Sequence, residues 1–440
     1  MGRSPAPVAD ADAAPTSRRF GLPRTFAALE NHDYRLMWIG TLGSFTAMQM
    51  SMISRGYLTF DLTGSAALLG LVTFARALPQ FGFTLFGGVL ADRLPKRNLL
   101  LVTQTLTGLI MLLTAVLVHS GLITVWQLIV LGFVEGSVFA FNMPTRQAIL
   151  PELVGPKNLM NAVALNNAGM NFCQVFGPAL AGFLISWEVV GLSKVFYFMA
   201  ACYLLPVFML TQIKPQFAAA ARKKAPMIEE MRGGLRYIAR HETLGLLLVI
   251  GLVPILVGFS YQTLLPVFAS EEVLNVGASG LGLMSAAVGI GALAGSLFIA
   301  SYADFKKRGL AQIVMGSAWG VSLMFFGLSQ SFHVALVTLL FVGLTASAYR
   351  SLNNTLVTIS TDQEFYGRVM SVQMLGFSLS MLTPLPIGII VDRIGAPMTV
   401  AINGAIIVLF LGFVAMFIGS YRRIEIQPDA QPALQPADRA

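Results

Sequence analysis

Long apolar stretches broken by short polar ones dominate the chain, and neither period-2 alternation nor isolated amphipathic helices account for them. Runs of about 20 residues, enough to cross a bilayer as a helix, fall near 34–57, 66–91, 98–118, 123–143, 159–185 and 194–213. Six more fall near 243–268, 278–302, 310–329, 332–354, 367–391 and 397–420. Turn-forming groups separate neighbours: Asp92-Arg93-Leu94-Pro95, the segment Pro151 to Pro156, and Gly395-Ala396-Pro397. The fifth and eleventh runs are the least apolar by this reading. The pattern predicts an all-α integral membrane protein with twelve transmembrane helices.

Basic residues support that reading. With the N-terminus in the cytoplasm and loops assigned in turn, 25 of the 29 Lys and Arg residues fall on the cytoplasmic side, with Arg146 and Arg350 counted among loop residues. Positive charge resists translocation, so this bias places both termini inside. The exceptions are Arg55, Arg76, Lys194 and Arg393. Arg55 lies near the outer end of its span, where it is expected to snorkel to the headgroups with Asp61 close by.

Composition changes the picture only by exclusion. Charged residues make up 11% and hydrophobic ones 55%, with a mean hydropathy of +0.72, against about 25% charged in a soluble domain. A net charge of +8 would suit nucleic acid, but the basic residues sit in short clusters between spans, so no nucleic-acid partner is expected. There is no Walker loop for an ATP-driven pump. Gly289-Ile-Gly291-Ala-Leu-Ala294 lies inside an apolar span with no strand before it, and His241-Glu242 lacks a second histidine four positions on. No enzyme, metal or cofactor is implied. Cys173 and Cys202, both in predicted spans, read as free thiols.

The chain also repeats itself. Gly-Gly-Val-Leu-Ala-Asp at 87–92 precedes Lys96 and Arg97, and Ile-Ala-Ser-Tyr-Ala-Asp at 299–304 precedes Lys306, Lys307 and Arg308, an offset of 212. Gly177-Pro178 before Gly182 is matched by Thr383-Pro384 before Gly388, an offset of 206. The expected organisation is two pseudo-symmetric six-helix bundles, 31–213 and 243–421. A cytoplasmic linker at 214–242 would join them, and disordered cytoplasmic tails would occupy 1–30 and 422–440. Within the linker, Met227, Ile228, Met231, Leu235 and Ile238 share one face of an amphipathic helix suited to the membrane surface.

Gly88-Val-Leu-Ala-Asp92-Arg93-Leu-Pro-Lys96-Arg97 resembles the loop signature between the second and third helices of the major facilitator superfamily. Three further stretches are similar to its enterobactin-exporter-like, drug-efflux branch in bacteria: 55–65, Pro144 to Val154, and Ile228 to His241. The resemblance implies alternating access by rocking of two halves around a midplane site. It also implies that Gly88, Asp92, Arg93, Lys96 and Arg97, with the reduced copy Asp304, Lys307 and Arg308, latch one state. One departure concerns the fourth helix. Proton-coupled drug exporters often carry an arginine four residues before a glycine that follows a glutamine. Here that glycine is Gly136, Glu135 replaces the glutamine, and the arginine's place holds Gly132.

Polar groups inside apolar helices supply the candidate chemistry, because a charge at a helix centre costs on the order of 2.5–3.5 kcal/mol on insertion scales. Glu135 is the candidate proton carrier, with Arg76 modulating it. A purely structural role for both, satisfied between helices, stays open. Gln49 and Gln262, on the cavity-lining first and seventh spans, are candidate substrate contacts, as are Asn167 and Asn171 on the fifth. Gly177, Pro178 and Pro384 are candidate helix bends. Export of a small amphipathic molecule (a siderophore, drug or metabolite) by a monomeric proton antiporter in the bacterial inner membrane accounts for these features. Uptake or uniport by the same fold is the second reading, and a membrane sensor or assembly partner that transports nothing is the third.

Overall fold

The structure is a computed structural model, and it describes residues 28–187, 189–213, 233, 236–301, 308–362 and 365–418. Every regular element among these residues is a helix. In the first half they are α1 (His32–Thr63), α2 (Ala66–Arg93), α3 (Lys96–His119), α4 (Val125–Ser186) and α5 (Gly191–Gln212). In the second half they are α6 (Glu242–Gly258), α7 (Tyr261–Ala269), α8 (Gly277–Ser301), α9 (Arg308–Gly327), α10 (Phe332–Ile359), α11 (Tyr366–Ser380), α12 (Pro384–Ile394) and α13 (Ala396–Phe417).

Eleven stretches among the described residues are helical, long and apolar enough to cross a bilayer. Helix α4 contains two of them, separated at Gly155, whose φ of 66° and ψ of 173° leave the helical region. Helices α6 and α7 form one bent span, as do α11 and α12, where Pro384 opens the second piece. By contrast, the backbone stays helical through Gly177 and Pro178. Gly177 lets α4 lie against Gln49 on α1. The stretch that falls short of the apolar criterion is α1, not the fifth or eleventh. It is 32 residues long, but its charge-free middle is diluted by Gly, Ser, Thr and Gln49.

The halves are built alike. In the first, α2 packs on the first part of α4, and α3 on α5; in the second, α8 packs on α10, and α9 on α13. The two most extensive contacts between the halves, α2 with α12 and the second part of α4 with α8, exchange under the repeat. Both lie at one end of the bundle, where α2 begins and away from the first residues of α1 and the last of α13. A Cβ on Gly388 would stand 2.3 Å from the Ala66 carbonyl, and one on Gly182 would stand 2.5 Å from that of Ala278. Small residues thus let backbones of opposite halves touch.

At this end Asp392 of α12 caps α2 from the other half. Its carboxylate accepts hydrogen bonds from Ser65 Oγ at 2.7 Å and from the Ala66 and Ala67 amides at 2.8 and 3.2 Å. The first amides of a helix lack internal partners and carry partial positive charge, so an anion supplied in trans ties the halves together. Sequence reading passed over Asp392 because its partners lie more than 320 positions away.

Lys96 and Arg97 of the signature loop bind within their own half. Lys96 pairs with Glu152 of α4, and Arg97 donates to the Leu210 and Thr211 carbonyls at 2.8 and 3.1 Å. The side chains of Gly88, Asp92 and Arg93 lie outside the described residues, as do Asp304 and Lys307; Arg308 opens α9. The tails 1–27 and 419–440 and most of the linker, including Met227, Ile228, Met231 and Leu235, are also outside them. At the end of the linker, Tyr237 donates to Asp362 Oδ2 at 2.8 Å and stacks on Phe365 at 4.1 Å, docking it on the second half.

Removing the trans cap should loosen closure at this end. Helix caps contribute on the order of 1 kcal/mol, roughly a fivefold change in population. Spin labels at Leu62 and Ile394, both exposed, should show a longer-distance population in Asp392→Ala. An unchanged distance distribution would assign closure to backbone packing alone.

Candidate transport site: an intramembrane arginine and glutamate cluster

Glu135 is 1% exposed, the one buried carboxylate among the described residues. Its Oε2 lies 2.6 Å from Arg55 Nη2, and its Oε1 lies 3.4 Å from Arg76 Nε. Three helices therefore meet through one carboxylate: α1 brings Arg55, α2 brings Arg76, and α4 brings Glu135. Arg55 is 6% exposed and paired with Glu135, which corrects the expected snorkelling. Asp61, its expected partner, faces outward. Pairing with Glu135 replaces hydration that neither ion finds in lipid.

Glycines on α4 make room for this meeting. A Cβ on Gly136 would fall 2.0 Å from the Arg76 carbonyl, so α2 and α4 touch backbone to backbone beside Glu135. A Cβ on Gly132 would sit 3.5 Å from Arg55 Nη1 and 3.7 Å from Arg76 Cβ. The place where drug exporters carry an arginine on this helix is thus reached by a guanidinium from α1. Sequence comparison along α4 alone shows the charge as missing; the fold shows it relocated.

Depth follows from register. Arg76 is ten residues into α2 and Glu135 ten into α4, counted from Ala66 and Val125 at the same end. At 1.5 Å per residue that is about 15 Å, half of a hydrocarbon core of about 30 Å. The cluster lies near the midplane, where transporters of this architecture hold their cargo.

Two adjoining clefts open beside it. One, of about 70 Å³, is lined by Arg55, Arg76, Thr73 and Gln262; the other, of about 50 Å³, by Gln49, Gln174, Gln262 and Ser285. They share Met52, Ile53 and Gln262. Of the sequence candidates, Arg76, Gln49 and Gln262 line this space. Asn167 and Asn171 are exposed and line neither cleft, although they share a helical face with Gln174, which does.

Sequence reading missed two further arginines by assigning them to loops. Arg146 lies inside α4, 7% exposed, with its guanidinium 5.2 Å from the Phe45 ring. Arg350 lies inside α10, between Phe259 at 5.5 Å and Phe377 at 6.0 Å. The available signal was their distance from turn residues. Arg146 is nine positions before Gly155 and Arg350 nine before Ile359, more than two helical turns in each case.

The buried pair gives a stability test. Breaking a buried ion pair by removing one partner costs about 3–5 kcal/mol, because a charge is left behind. Arg55→Gln should therefore melt well below the parent in detergent, and Arg55→Gln combined with Glu135→Gln should melt less far below it than the two single losses added. Strictly additive losses would mean that Arg55 and Glu135 do not act as a pair.

With the geometry in hand, known proteins give the family. A family model described as "transmembrane secretion effector" matches residues 23–436. The staphyloferrin A transporter of Staphylococcus aureus is 26% identical over 377 residues, covering 82% of this chain and 90% of that protein. The enterobactin exporter EntS of Citrobacter koseri is 24% identical, covering 89% and 90%. Among solved structures, the nucleoside transporter NupG superposes with a TM-score of 0.70 at 14% identity, covering 88% of this chain and 99% of that one. The chain belongs to the transmembrane secretion effector family and is a transporter of the major facilitator superfamily.

Proposed function

We propose that this chain is a proton-coupled exporter of a small amphipathic molecule, with Glu135 as the group that carries the coupling proton. The observation behind this reading is a lone buried carboxylate, held between Arg55 and Arg76 beside a cleft near the midplane. Protonating Glu135 removes the charge that joins α1 and α2 to α4. The two guanidiniums then lose their partner, and the helices gain freedom to shift against one another. The export direction rests on the printed functions of the relatives, among them an enterobactin exporter.

In this reading α1 is a twelfth span, its polar positions turned toward α4 and α5, and both termini face the cytoplasm of a bacterial inner membrane. The end closed by Asp392 is then the outer one, and the described state opens inward. The signature loop, Gly88 and Asp92 to Arg97, and its copy from Asp304 to Arg308 serve as latches for the opposite state. Gln49 and Gln262 contact the cargo, Asn167 and Asn171 lie along its route, and the working unit is a monomer without a cofactor.

Everted membrane vesicles test the assignment with a panel of dyes and siderophores, with and without an imposed pH gradient. The expected outcome is gradient-dependent accumulation, reduced at least tenfold in Glu135→Gln protein present at parental levels. Accumulation in that variant with undiminished gradient dependence would remove Glu135 as the proton carrier.

A further inference from the structure

We infer that the transported molecule is an anion, an amphipath whose carboxylate or comparable acid group is received by Arg76 and Arg350 on opposite sides of the path. This rests on the transport reading above and adds the charge class of the cargo.

Charge along the helices carries the inference. Counting described residues more than two turns from a helix end or break, the spans hold four arginines, Arg55, Arg76, Arg146 and Arg350, and one acid, Glu135. Only Arg55 and Arg76 share that acid. Arg146 and Arg350 make no ion pair among the described residues and rest on aromatic rings. The cluster around Glu135 keeps a net positive charge, and the spans as a whole keep more. Ions inside a membrane protein face a partner or a water-filled path, and an unmatched guanidinium on that path favours an anion.

Donor capacity agrees. Arg55 Nη2 and Arg76 Nε are turned to Glu135, while Arg55 Nε and Nη1 are buried and make no hydrogen bond. Arg55 and Arg76 line the larger cleft, and a guanidinium fork matches a carboxylate in two-point geometry. Arg350 is exposed between Phe259 and Phe377, beside the bend that leads to Tyr261 and Gln262. The adjoining surface of Met52, Ile53, Leu265 and Val288 suits an apolar body. A cation would meet like charge on both sides. Anion export also suits the energetics: one anion leaving and one proton entering move two elementary charges in the same electrical sense.

Three matched probes test this: a dansyl amino acid with a free carboxylate, its neutral amide, and dansylcadaverine as the cation. Binding is read by fluorescence with purified protein in nanodiscs, and flux in everted vesicles. The carboxylate probe should bind at least tenfold more tightly than the amide, and Arg350→Gln and Arg76→Gln should each erase most of that preference. Arg350 has no acid to orphan, so its variant keeps the test meaningful if Arg76→Gln folds poorly. Equal binding of all three probes, no binding of the carboxylate, or preference for the amine would overturn the inference. Flux of the amide or amine with the carboxylate inert would do so while leaving transport standing. Selective carboxylate binding without flux would uphold the inference and count against the transport reading.

Discussion

The contact of Glu135 with Arg55 and Arg76 organises the first half of the molecule. It places one acid and two bases where water is scarce, and each needs the others to be tolerated there. The remaining features of the site accommodate that contact. Gly136 brings α2 against α4, Gly132 leaves space for a guanidinium entering from α1, and Phe139 lies 5.7 Å from the Arg76 guanidinium. A hydrophobic triad of equal volume would hold three helices together more simply. Ions at this depth therefore fit the proposed role, in which the packing of the site changes with its charge.

A charge-sensitive joint matters only if something larger moves with it, and the contacts between halves supply that element. The most extensive gather at one end, in two places exchanged by the internal repeat, where backbones touch through Gly70, Gly388, Gly182 and Gly282. Such contacts are close and specific but have little side-chain interlock to undo. The Asp392 cap adds a polar tie that can be made or broken as a unit. Arg76 stands on α2, the helix that Asp392 caps. The charge cluster and the closed end thus share one rigid element, and a shift of α2 reaches both.

Much of this was legible in the chain, and the gaps have physical causes. Spans, repeat and family followed from apolar run length and from a loop signature, both local properties. The weak span was misjudged: α1 looks apolar in outline, yet the Gly, Ser, Thr and Gln residues along its middle keep it below the threshold that the fifth and eleventh pass. Glu135 and Arg76 stood out because each interrupts an apolar run. Arg55 was read as an edge residue because it stands two positions from the end of the apolar run 34–57, whereas α1 continues to Thr63 and packing turns it inward to Glu135. Arg146 was absorbed into a loop because α4 runs past the apolar segment that first defined it, and Arg350, four positions from the end of its own apolar run, was counted with the loop that follows. Asp392 had no local signal, since a cap in trans is a property of the fold.

The placing of Arg146 and Arg350 well inside α4 and α10 bears on how a membrane protein holds positive charge. The basic residues that set topology and those that line a path are chemically alike, and position along the helix separates them. A lysine near the interface can reach water along its flexible stem. Arg146 and Arg350 lie too deep for that, and each rests against aromatic rings, which suit a weakly hydrated planar cation better than an ammonium. Aromatic faces lower the cost of such a charge without neutralising it, so the field along the path persists. Glu135 cancels one unit of that field. Under the proposed coupling, proton and cargo would influence each other through the electrostatics of a single cluster, with no need for a relay between distant sites.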